Sequence, residues 1–315
     1  MGSAEGWDAR VTAAGFDLCF KEELVFMAAE RRKTMPYERI AVRPIAGALG
    51  AEIGGVDLAK SLDNQTFAEI HQALLDNLVI FFRDQTLTPA QHKDFGRRFG
   101  ELDIHDYVGG IDGHPEIIPV IKEAEERGKN FGGIWHSDVT YQEKPALGSV
   151  LYALETPPYG GDTLFANQYL AYETLSDGMK AMLAGMKAVH SAVKAYGPER
   201  ERGRYKSIKV DAREEAKQEM VHPVVRTHPE SGRKGLFIND VFTLRFDGWT
   251  EAESQPLLQF LYQHAVRPEF TCRFRWQDRS VAFWDNRCTQ HFALNDYHGH
   301  RRAMHRVTVS GDRPF

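Results

Sequence analysis

The sequence predicts a mainly β fold, a β-sandwich or jelly roll with α-helices packed outside its sheets. From residue 148 onward, short segments rich in β-branched and aromatic residues recur, each bounded by Gly, Pro or Asp. Such segments are typical of strands joined by tight turns. They read GSVLYALE, TLFANQYL, HPVVRTHP, KGLFIND, FTCRFRW, SVAFWDN and AMHRVTVSG. Because helical segments do not alternate regularly with them, the order favours a β-sandwich or jelly roll over an alternating α/β sheet.

The segment 38–100 is predicted to form strands and two helices. Residues 38–58 alternate apolar and polar side chains and are interrupted by glycines, which predicts short strands with tight turns. The apolar residues of 64–78 recur at helical spacing, and residues 79–85 read as a short buried strand. A second helix is expected to begin at Thr88-Pro89, with Thr as its cap and Pro in its first turn, and to stop at Gly100.

Two later segments interrupt the strands. Residues 169–187 look like two short helices separated by a turn at 176–178. Residues 197–220 are highly charged and poor in apolar side chains. We expect this second segment to be an exposed excursion or lid, because nothing in it predicts a core of its own.

The chain is predicted to contain one domain preceded by an extension. Residues 1–37 form a mixed, partly helical stretch that ends near Met35-Pro36, and this is either an ordered extension or sequence that precedes the true start. Residues 38–315 are predicted to be a single domain, since β folds with insertions often reach this length.

Composition excludes several classes of protein. The net charge of −5 and the pI near 6.2 argue against nucleic-acid binding. No apolar run approaches the roughly 20 residues of a membrane helix, and the N-terminal residues do not resemble a signal peptide. We expect no membrane partner, a cytoplasmic location and a homo-oligomer. The three cysteines suit a reducing compartment because they are odd in number and widely spaced: Cys19, Cys272 and Cys288.

A candidate metal site begins at Trp135-His136-Ser137-Asp138. In an extended segment alternate side chains share one side, so His136 and Asp138 point the same way. His291, at the end of an apolar strand, is the best-placed second histidine. Two His and one carboxylate on one face of Fe(II) leave three positions open for other ligands. The pattern is weak alone, because HxD with a later His also occurs by chance.

Two arginines strengthen the metal interpretation. Arg302, Met304 and Arg306 are alternate residues of a predicted strand, so they share one face. That strand begins 302 − 291 = 11 residues after His291, which predicts a hairpin partner in the same sheet. Two buried guanidiniums require anions, and Arg is suited to gripping carboxylates or sulfonates. The alternative is that both are surface residues of an edge strand.

Three long motifs resemble the taurine dioxygenase family, which also contains alkylsulfatases and aryloxyalkanoate dioxygenases. They are WHSDVTYQEKPALGSVLYALETPPYGGDTLFAN, HPVVRTHPESGRKGLFIND and WDNRCTQHFALNDYHGHRRAMHRVTVSGDRPF. The resemblance runs from about Glu38 to the C-terminus. It implies a double-stranded β-helix (jelly roll) and a dioxygenase that uses Fe(II), 2-oxoglutarate and O₂ and forms succinate and CO₂.

The resemblance also implies roles for the metal and cosubstrate residues. His136, Asp138 and His291 match the family's iron ligands. For 2-oxoglutarate, Thr163 matches the hydroxyl that contacts it and Arg302 its carboxylate anchor. Trp284 is expected beside the cosubstrate, although a core tryptophan explains it equally well.

A third group of residues matches the family's substrate pocket. It consists of an arginine that holds the substrate's sulfonate or carboxylate and four further residues: Arg306, His105, Val139, Tyr196 and Phe242. Two positions depart from the taurine enzymes, which carry asparagine at the position of Gly132 and phenylalanine at that of Tyr196. The loss of an amide from the pocket argues against taurine itself.

We therefore expect hydroxylation of a small anionic organic substrate, such as an aryloxyalkanoate, an alkyl sulfate or a sulfonate. Taurine oxidation is the alternative within the family. A zinc hydrolase remains open because the same ligands suit Zn²⁺, and so does a non-catalytic jelly-roll binding protein. Consumption of 2-oxoglutarate and formation of succinate separate these classes from a dioxygenase.

Overall fold

The computed structural model describes residues 37–199 and 207–315, so residues 1–36 of the predicted extension and residues 200–206 lie outside the described part. The strands, in chain order, are β1 (Ala41–Pro44), β2 (Ala51–Gly54), β3 (Val79–Phe82), β4 (Ile117–Lys122), β5 (Gly148–Glu155), β6 (Thr163–Asn167), β7 (Lys187–Ser191), β8 (Glu219–Pro223), β9 (Val225–Thr227), β10 (Lys234–Leu236), β11 (Thr243–Phe246), β12 (Thr271–Phe274), β13 (Val281–Asp285), β14 (Thr289–Ala293) and β15 (Arg302–Val309). The helices are α1 (Asn64–Asn77), α2 (Pro89–Arg97), α3 (Gln168–Glu173), α4 (Asp177–Leu183), α5 (Val193–Tyr196) and α6 (Glu251–Ala265). Short 3₁₀ turns cover Glu214–Lys217 and Pro268–Phe270.

Seven strands form the largest sheet, in the order β1-β2-β3-β13-β5-β15-β4. Three strands, β12-β6-β14, form a second sheet, and β11-β7-β8 and β10-β9 form two smaller ones. Strand β15 pairs with β5 on one side and β4 on the other. It is therefore an interior strand, which rules out the interpretation of its arginines as residues of an exposed edge.

The main core lies between the seven-stranded sheet and the β12-β6-β14 sheet. Phe81 of the large sheet stacks on Phe274 of the small sheet with ring centroids 3.9 Å apart, and it meets Phe165 edge-on. Met304 and Trp284 of the large sheet belong to the same buried cluster. Burial of such aromatic surface holds the two layers together as a sandwich.

Helices α1 and α2 cover the opposite face of the large sheet. Ile70 of α1 and Phe95 of α2 pack on β-strand residues such as Phe82. Asp63 caps α1 by accepting the backbone N–H of Thr66, and Thr88 caps α2 in a capping box. Both predicted helices are confirmed. Within residues 37–199 and 207–315, no helix combines the length and apolarity needed to span a membrane.

The sequence interpretation missed α6, the longest helix described. Its signal is present, because Thr250 and Glu253 form a capping box at its start. Pro256 inside the helix and several exposed polar positions obscure the apolar period that predicts a helix.

The expected hairpin between the strands of His291 and Arg302 is wrong. His291 lies on β14, which pairs with β6 in the three-stranded sheet. Arg302 lies on β15 in the seven-stranded sheet. The two strands therefore belong to different layers of the sandwich, and their side chains approach each other across the interior.

Residues 207–220 are mostly exposed, as expected, but two buried residues fasten the segment to the rest of the chain. Ile208 and Ala216 are buried in one apolar cluster with Tyr107 and Tyr196. The backbone N–H of Asp211 donates to Tyr107 O at 2.8 Å. Two apolar residues are enough to hold this segment in place, because they pack on the aromatic side chains of Tyr107 and Tyr196.

Candidate metal centre and its pocket

His136, Asp138 and His291 converge on one point, and we call them the metal cluster. One donor atom from each lies within 4.8 Å of the others, and all three residues are buried. The backbones of His136 and His291 exchange two hydrogen bonds, of 3.1 and 2.8 Å. His136 Nε2 lies 3.7 Å and His291 Nε2 3.9 Å from Asp138 Oδ1. The prediction that His136 and Asp138 share one side is confirmed.

The protonation of the cluster suits a metal ion. Burial lowers the pKa of His136, and burial together with the neighbouring His136 lowers the pKa of His291 well below its ordinary value. His136 Nδ1 donates to Ile134 O at 2.7 Å, which leaves the lone pair of Nε2 free. Burial alone would raise the pKa of Asp138. The charges of Arg306 and the two histidines lower it by more than burial raises it, so the pKa lies well below the usual range. Two neutral imidazoles and a carboxylate are a fitting donor set for Fe(II).

Arg302 begins β15 and lacks an anionic partner within the described residues. It is 4% exposed. Its Nε donates to Gly161 O at 3.1 Å, whereas Nη2 is buried without a hydrogen-bond partner. Burial lowers the pKa of the guanidinium. A buried cation with an unused donor fits an external carboxylate.

Thr163 and Trp276 lie next to that arginine. Trp276 Nε1 donates to Thr163 Oγ1 at 2.9 Å, which leaves the hydroxyl proton of Thr163 available to an incoming acceptor. The guanidinium of Arg302 lies 5.8 Å from the centre of the Trp276 ring. Trp276 was missed from the sequence, because a tryptophan at a strand end gives no sign of a partner more than a hundred residues away.

Trp284 is found in the core. Its ring lies 4.6 Å from that of His291 and 5.6 Å from that of Phe165, and its indole N–H donates to Asn286. Trp284 therefore packs against His291, a member of the metal cluster. The tryptophan that contacts Thr163 is Trp276. The expected contact between Trp284 and the cosubstrate stays a prediction.

A pocket of about 340 Å³ opens onto the metal cluster. All five predicted substrate residues line it, together with His136 and Asp138, so the structure brings the substrate group together beside the metal. The predicted lining residues are His105, Val139, Tyr196, Phe242 and Arg306. Sequence reasoning missed Asn130, Phe131 and Lys194, which also line the pocket.

Arg306 connects the pocket to the metal cluster. It is 5% exposed, and its Nη1 donates to Asp138 Oδ1 at 2.8 Å. Its Nε is buried without a hydrogen-bond partner. The guanidinium lies 5.8 Å from the centre of the Phe131 ring. Arg306 can therefore bind an anion at the inner end of the pocket, close to the metal.

His105 supplies a neutral donor at the same end. Its Nδ1 accepts the backbone N–H of Tyr107 at 3.0 Å, so the ring proton resides on Nε2. Burial, reinforced by the charge of Arg306, lowers the pKa of His105 to about 3. The ring therefore stays neutral at physiological pH, and its Nε2 lies 3.5 Å from the hydroxyl of Tyr196.

Gly132 lies on the pocket wall in the left-handed region, with φ of +76°. A Cβ placed there would lie 3.4 Å from His136 Cε1, which is ordinary contact. The position therefore has room for a Cβ, but its φ strains any other residue, and among non-glycine residues Asn tolerates this backbone region best.

A second group of potential ligands, His228, Asp285 and Cys288, does not suit a metal. His228 Nδ1 accepts two backbone N–H groups, so its Nε2 carries the proton and donates to Asp285. Arg287 forms an ion pair with the same carboxylate at 2.6 Å. The group is a buried hydrogen-bonded network that supports the turn after β13.

Comparison with known proteins identifies close relatives. A family model described as taurine catabolism dioxygenase TauD, TfdA family matches residues 41–308. An alkylsulfatase of Acinetobacter baylyi is 36% identical over 88% of this chain and 87% of its own. An alpha-ketoglutarate-dependent sulfate ester dioxygenase of Pseudomonas putida is 37% identical over 87% of this chain and 90% of its own. The crystal structure of a taurine dioxygenase from Burkholderia xenovorans has a TM-score of 0.73 at 39% identity and covers 88% of this chain and 93% of that chain. This likeness confirms the predicted jelly roll.

Proposed function

This chain belongs to the TauD, TfdA family, and from that membership we propose that its organic substrate is a small anion bound by Arg306. The protein is a dioxygenase that depends on 2-oxoglutarate (alpha-ketoglutarate) and uses Fe(II) and O₂. We propose alkyl sulfate esters, alkyl sulfonates and aryloxyalkanoates as the substrate classes.

The metal cluster would hold the iron, and two further residues the cosubstrate. Iron with 2-oxoglutarate and O₂ supplies an oxidant that inserts one oxygen atom into a substrate C–H bond, while the other enters succinate and CO₂ is released. Arg302 would bind the carboxylate at the far end of 2-oxoglutarate, and Thr163 would donate its hydroxyl proton to the same group. The unpartnered Nη2 of Arg302 supports this role.

One observation carries the substrate proposal: β15 holds two buried arginines, and Arg306 lines the pocket at the metal cluster whereas Arg302 does not. Four residues along a strand separate their Cα atoms by about 13 Å. Their guanidiniums have different neighbours, since Arg302 Nε donates to Gly161 O and Arg306 Nη1 donates to Asp138 Oδ1. If Arg302 binds 2-oxoglutarate as proposed, Arg306 is left for the anionic group of the organic substrate, because it lines the pocket.

The pocket wall describes the rest of the substrate. Val139, Tyr196 and Phe242 contribute apolar and aromatic surface, and Gly132 contributes no amide. Together with the neutral donor of His105, these residues favour an anionic head group on an apolar body larger than the aminoethyl chain of taurine. The pocket volume is at the lower end of the range for small-molecule sites.

Hydroxylation beside the heteroatom explains how such substrates would be cleaved. A hydroxyl group placed on the carbon that carries a sulfate ester gives an unstable product. This product breaks its C–O bond to sulfate, and the hydroxyl proton is lost as the aldehyde forms. The residues of this chain hold the anion, orient the carbon and exclude water around the oxidant.

A substrate panel tests the proposal. Alkyl sulfates, alkyl sulfonates, aryloxyalkanoates and taurine are compared by O₂ uptake, 2-oxoglutarate consumption and kcat/KM, with uncharged alcohols of the same carbon skeleton as controls. We expect the longer alkyl or aryl anions to exceed taurine in kcat/KM. If taurine is the best substrate, or if the uncharged controls react equally well, the substrate proposal is wrong.

We also propose that residues 38–315 act as one catalytic domain in a cytoplasmic homo-oligomer. The family model spans nearly all of that range. Cys272 and Cys288 are buried and free, which suits a reducing compartment. Sedimentation at several protein concentrations measures the oligomeric state, and a monomer throughout would contradict this part.

A further inference from the structure

Asn286 lies directly behind the metal cluster and is 2% exposed. Its side chain makes four hydrogen bonds, to Asp138, Ser149 and Trp284. Nδ2 donates to Asp138 Oδ2 and to Ser149 Oγ, both at 3.3 Å. Oδ1 accepts the backbone N–H of Asp138 at 3.1 Å and the indole N–H of Trp284 at 3.0 Å.

These contacts fix the orientation of the amide. Oδ1 faces two N–H donors, so a flipped amide would oppose its NH₂ group to both of them. The same flip would place the amide oxygen against Asp138 Oδ2, another acceptor. Only the observed orientation satisfies all the groups, so Asn286 must donate to the carboxylate.

The two oxygens of Asp138 consequently have different surroundings. Oδ2 accepts hydrogen bonds from Asn286 and from Ser149, whose Oγ lies 2.8 Å away. Oδ1 accepts a hydrogen bond from Arg306 Nη1 at 2.8 Å and faces the two imidazole Nε2 atoms. Asn286 and Ser149 therefore hold Oδ2 away from the metal position and turn Oδ1 toward it.

The turn after β13 does not need the side chain of Asn286. Its backbone N–H already donates to Leu147 O at 2.8 Å. The side chain that closes the turn is Asp285, which accepts the backbone N–H of Arg287 at 2.9 Å. A role in turn formation therefore leaves the four bonds of the Asn286 amide unexplained.

Trp284 extends the same support to a second ligand. Its indole N–H is held by Asn286, and its ring packs on that of His291 with centroids 4.6 Å apart. The end of β13 thus orients two of the three members of the metal cluster, Asp138 by hydrogen bonds and His291 by packing.

We propose that Asn286 is a positioning residue that keeps Asp138 a ligand through one oxygen, so that the metal site retains its open positions. This inference rests on the proposed metal site. Hydrogen-bonding partners of metal ligands typically contribute 10- to 100-fold to metal affinity or activity. A carboxylate released from Asn286 can rotate and bind the metal through both oxygens, which would fill a position needed by the other reactants.

The test measures Co(II) binding by the full-length protein from its visible absorption, without turnover. Asn286→Ala should raise the Kd for Co(II) about 10- to 100-fold and weaken the visible band, because intensity falls as the coordination number rises. Ser149→Ala, which leaves Asn286 in place, should give a smaller change in the same direction. Asn167→Ala is the matched control: Asn167 is 3% exposed and caps α3, but bonds to no member of the cluster.

The outcomes separate the possibilities. A weaker Kd and altered spectrum in Asn286→Ala, with Asn167→Ala unchanged, supports the positioning role. An unchanged Kd and spectrum in Asn286→Ala overturns it, and so does an equal loss in both asparagine variants, which reports general destabilisation. If Asn286→Ala does not fold, Ser149→Ala decides, and an unchanged Kd there overturns the inference. Failure of the wild-type protein to bind Co(II) would instead refute the proposed metal site.

Discussion

Replacing Arg302 by Lys should raise the KM for 2-oxoglutarate about thirtyfold and leave the KM for the organic substrate nearly unchanged. In the structure, Nε of Arg302 is bound to Gly161 O, while Nη2 is buried and has no partner. The arginine can therefore keep its contact with the backbone and still donate to a carboxylate.

The magnitude follows from the donors that lysine lacks. Lysine keeps the positive charge but has a single nitrogen, which cannot serve both Gly161 O and the carboxylate in the geometry of a planar guanidinium. Losing one hydrogen bond to a charged group costs about 1.5–3 kcal/mol. A loss of ~2 kcal/mol corresponds to about thirtyfold, since 1.4 kcal/mol is tenfold.

Two measurements separate binding from turnover. The dependence of O₂ uptake on 2-oxoglutarate gives KM, and calorimetric titration of the Mn(II)-loaded protein gives the Kd. Arg301→Lys is the matched control, because Arg301 lies next to Arg302 but pairs with Glu123 and Glu155. An unchanged Kd in Arg302→Lys, or an equal rise in Arg301→Lys, would refute the assignment of the carboxylate anchor.

Four other predictions test the site and the fold. Alanine at any position of the metal cluster should abolish Co(II) binding and 2-oxoglutarate-dependent O₂ uptake, and a variant with near-wild-type uptake would remove its residue from the metal site. Arg306→Ala should raise the KM for the organic substrate at least tenfold more than that for 2-oxoglutarate, since it removes a charge-assisted bond worth ~1.5–3 kcal/mol; equal rises would contradict the separate anion sites. Gly132→Asn should increase kcat/KM for taurine relative to an alkyl sulfate, because the amide restores a polar contact and Asn is the residue least strained at this φ; the control is Gly132→Ala, and an identical ratio in both variants would count against the pocket argument. Burial lowers the pKa of His92 from 6.5 to about 4, so the folded state disfavours the protonated ring. Above pH 6.5 the folded state loses no stability to this residue, and as the pH falls toward 4 it becomes less stable relative to the unfolded chain. His92→Gln should reduce the difference in unfolding free energy between pH 7 and pH 5 by about 2 kcal/mol in urea titrations, and an unchanged difference would mean that His92 is not buried neutral.

Local features of the fold were predictable from the sequence, and features that depend on distant contacts were not. Thr88 and Pro89 specify the start of α2 within a few residues, and the structure confirms this helix. Trp276 and Asn286 act through Thr163 and Asp138, which lie 113 and 148 residues away along the chain. No periodicity or spacing reports such contacts, so only the folded structure identifies these two residues.

His136, Asp138 and His291 converge in the structure and Arg306 bonds to Asp138, even though the expected hairpin between the strands of His291 and Arg302 is wrong. A hairpin would place His291 and Arg302 side by side in one sheet, with the intervening residues forming a tight connection. Instead, β14 and β15 lie in opposite layers, and residues from both layers meet in the space between them. This arrangement explains why both Arg302 and Arg306 are buried on an interior strand, because side chains that alternate on the inner face of one sheet must point at the other sheet. It is also compatible with the two proposed anion sites, since Arg302 and Arg306 occupy inward positions of β15 with the buried Met304 between them.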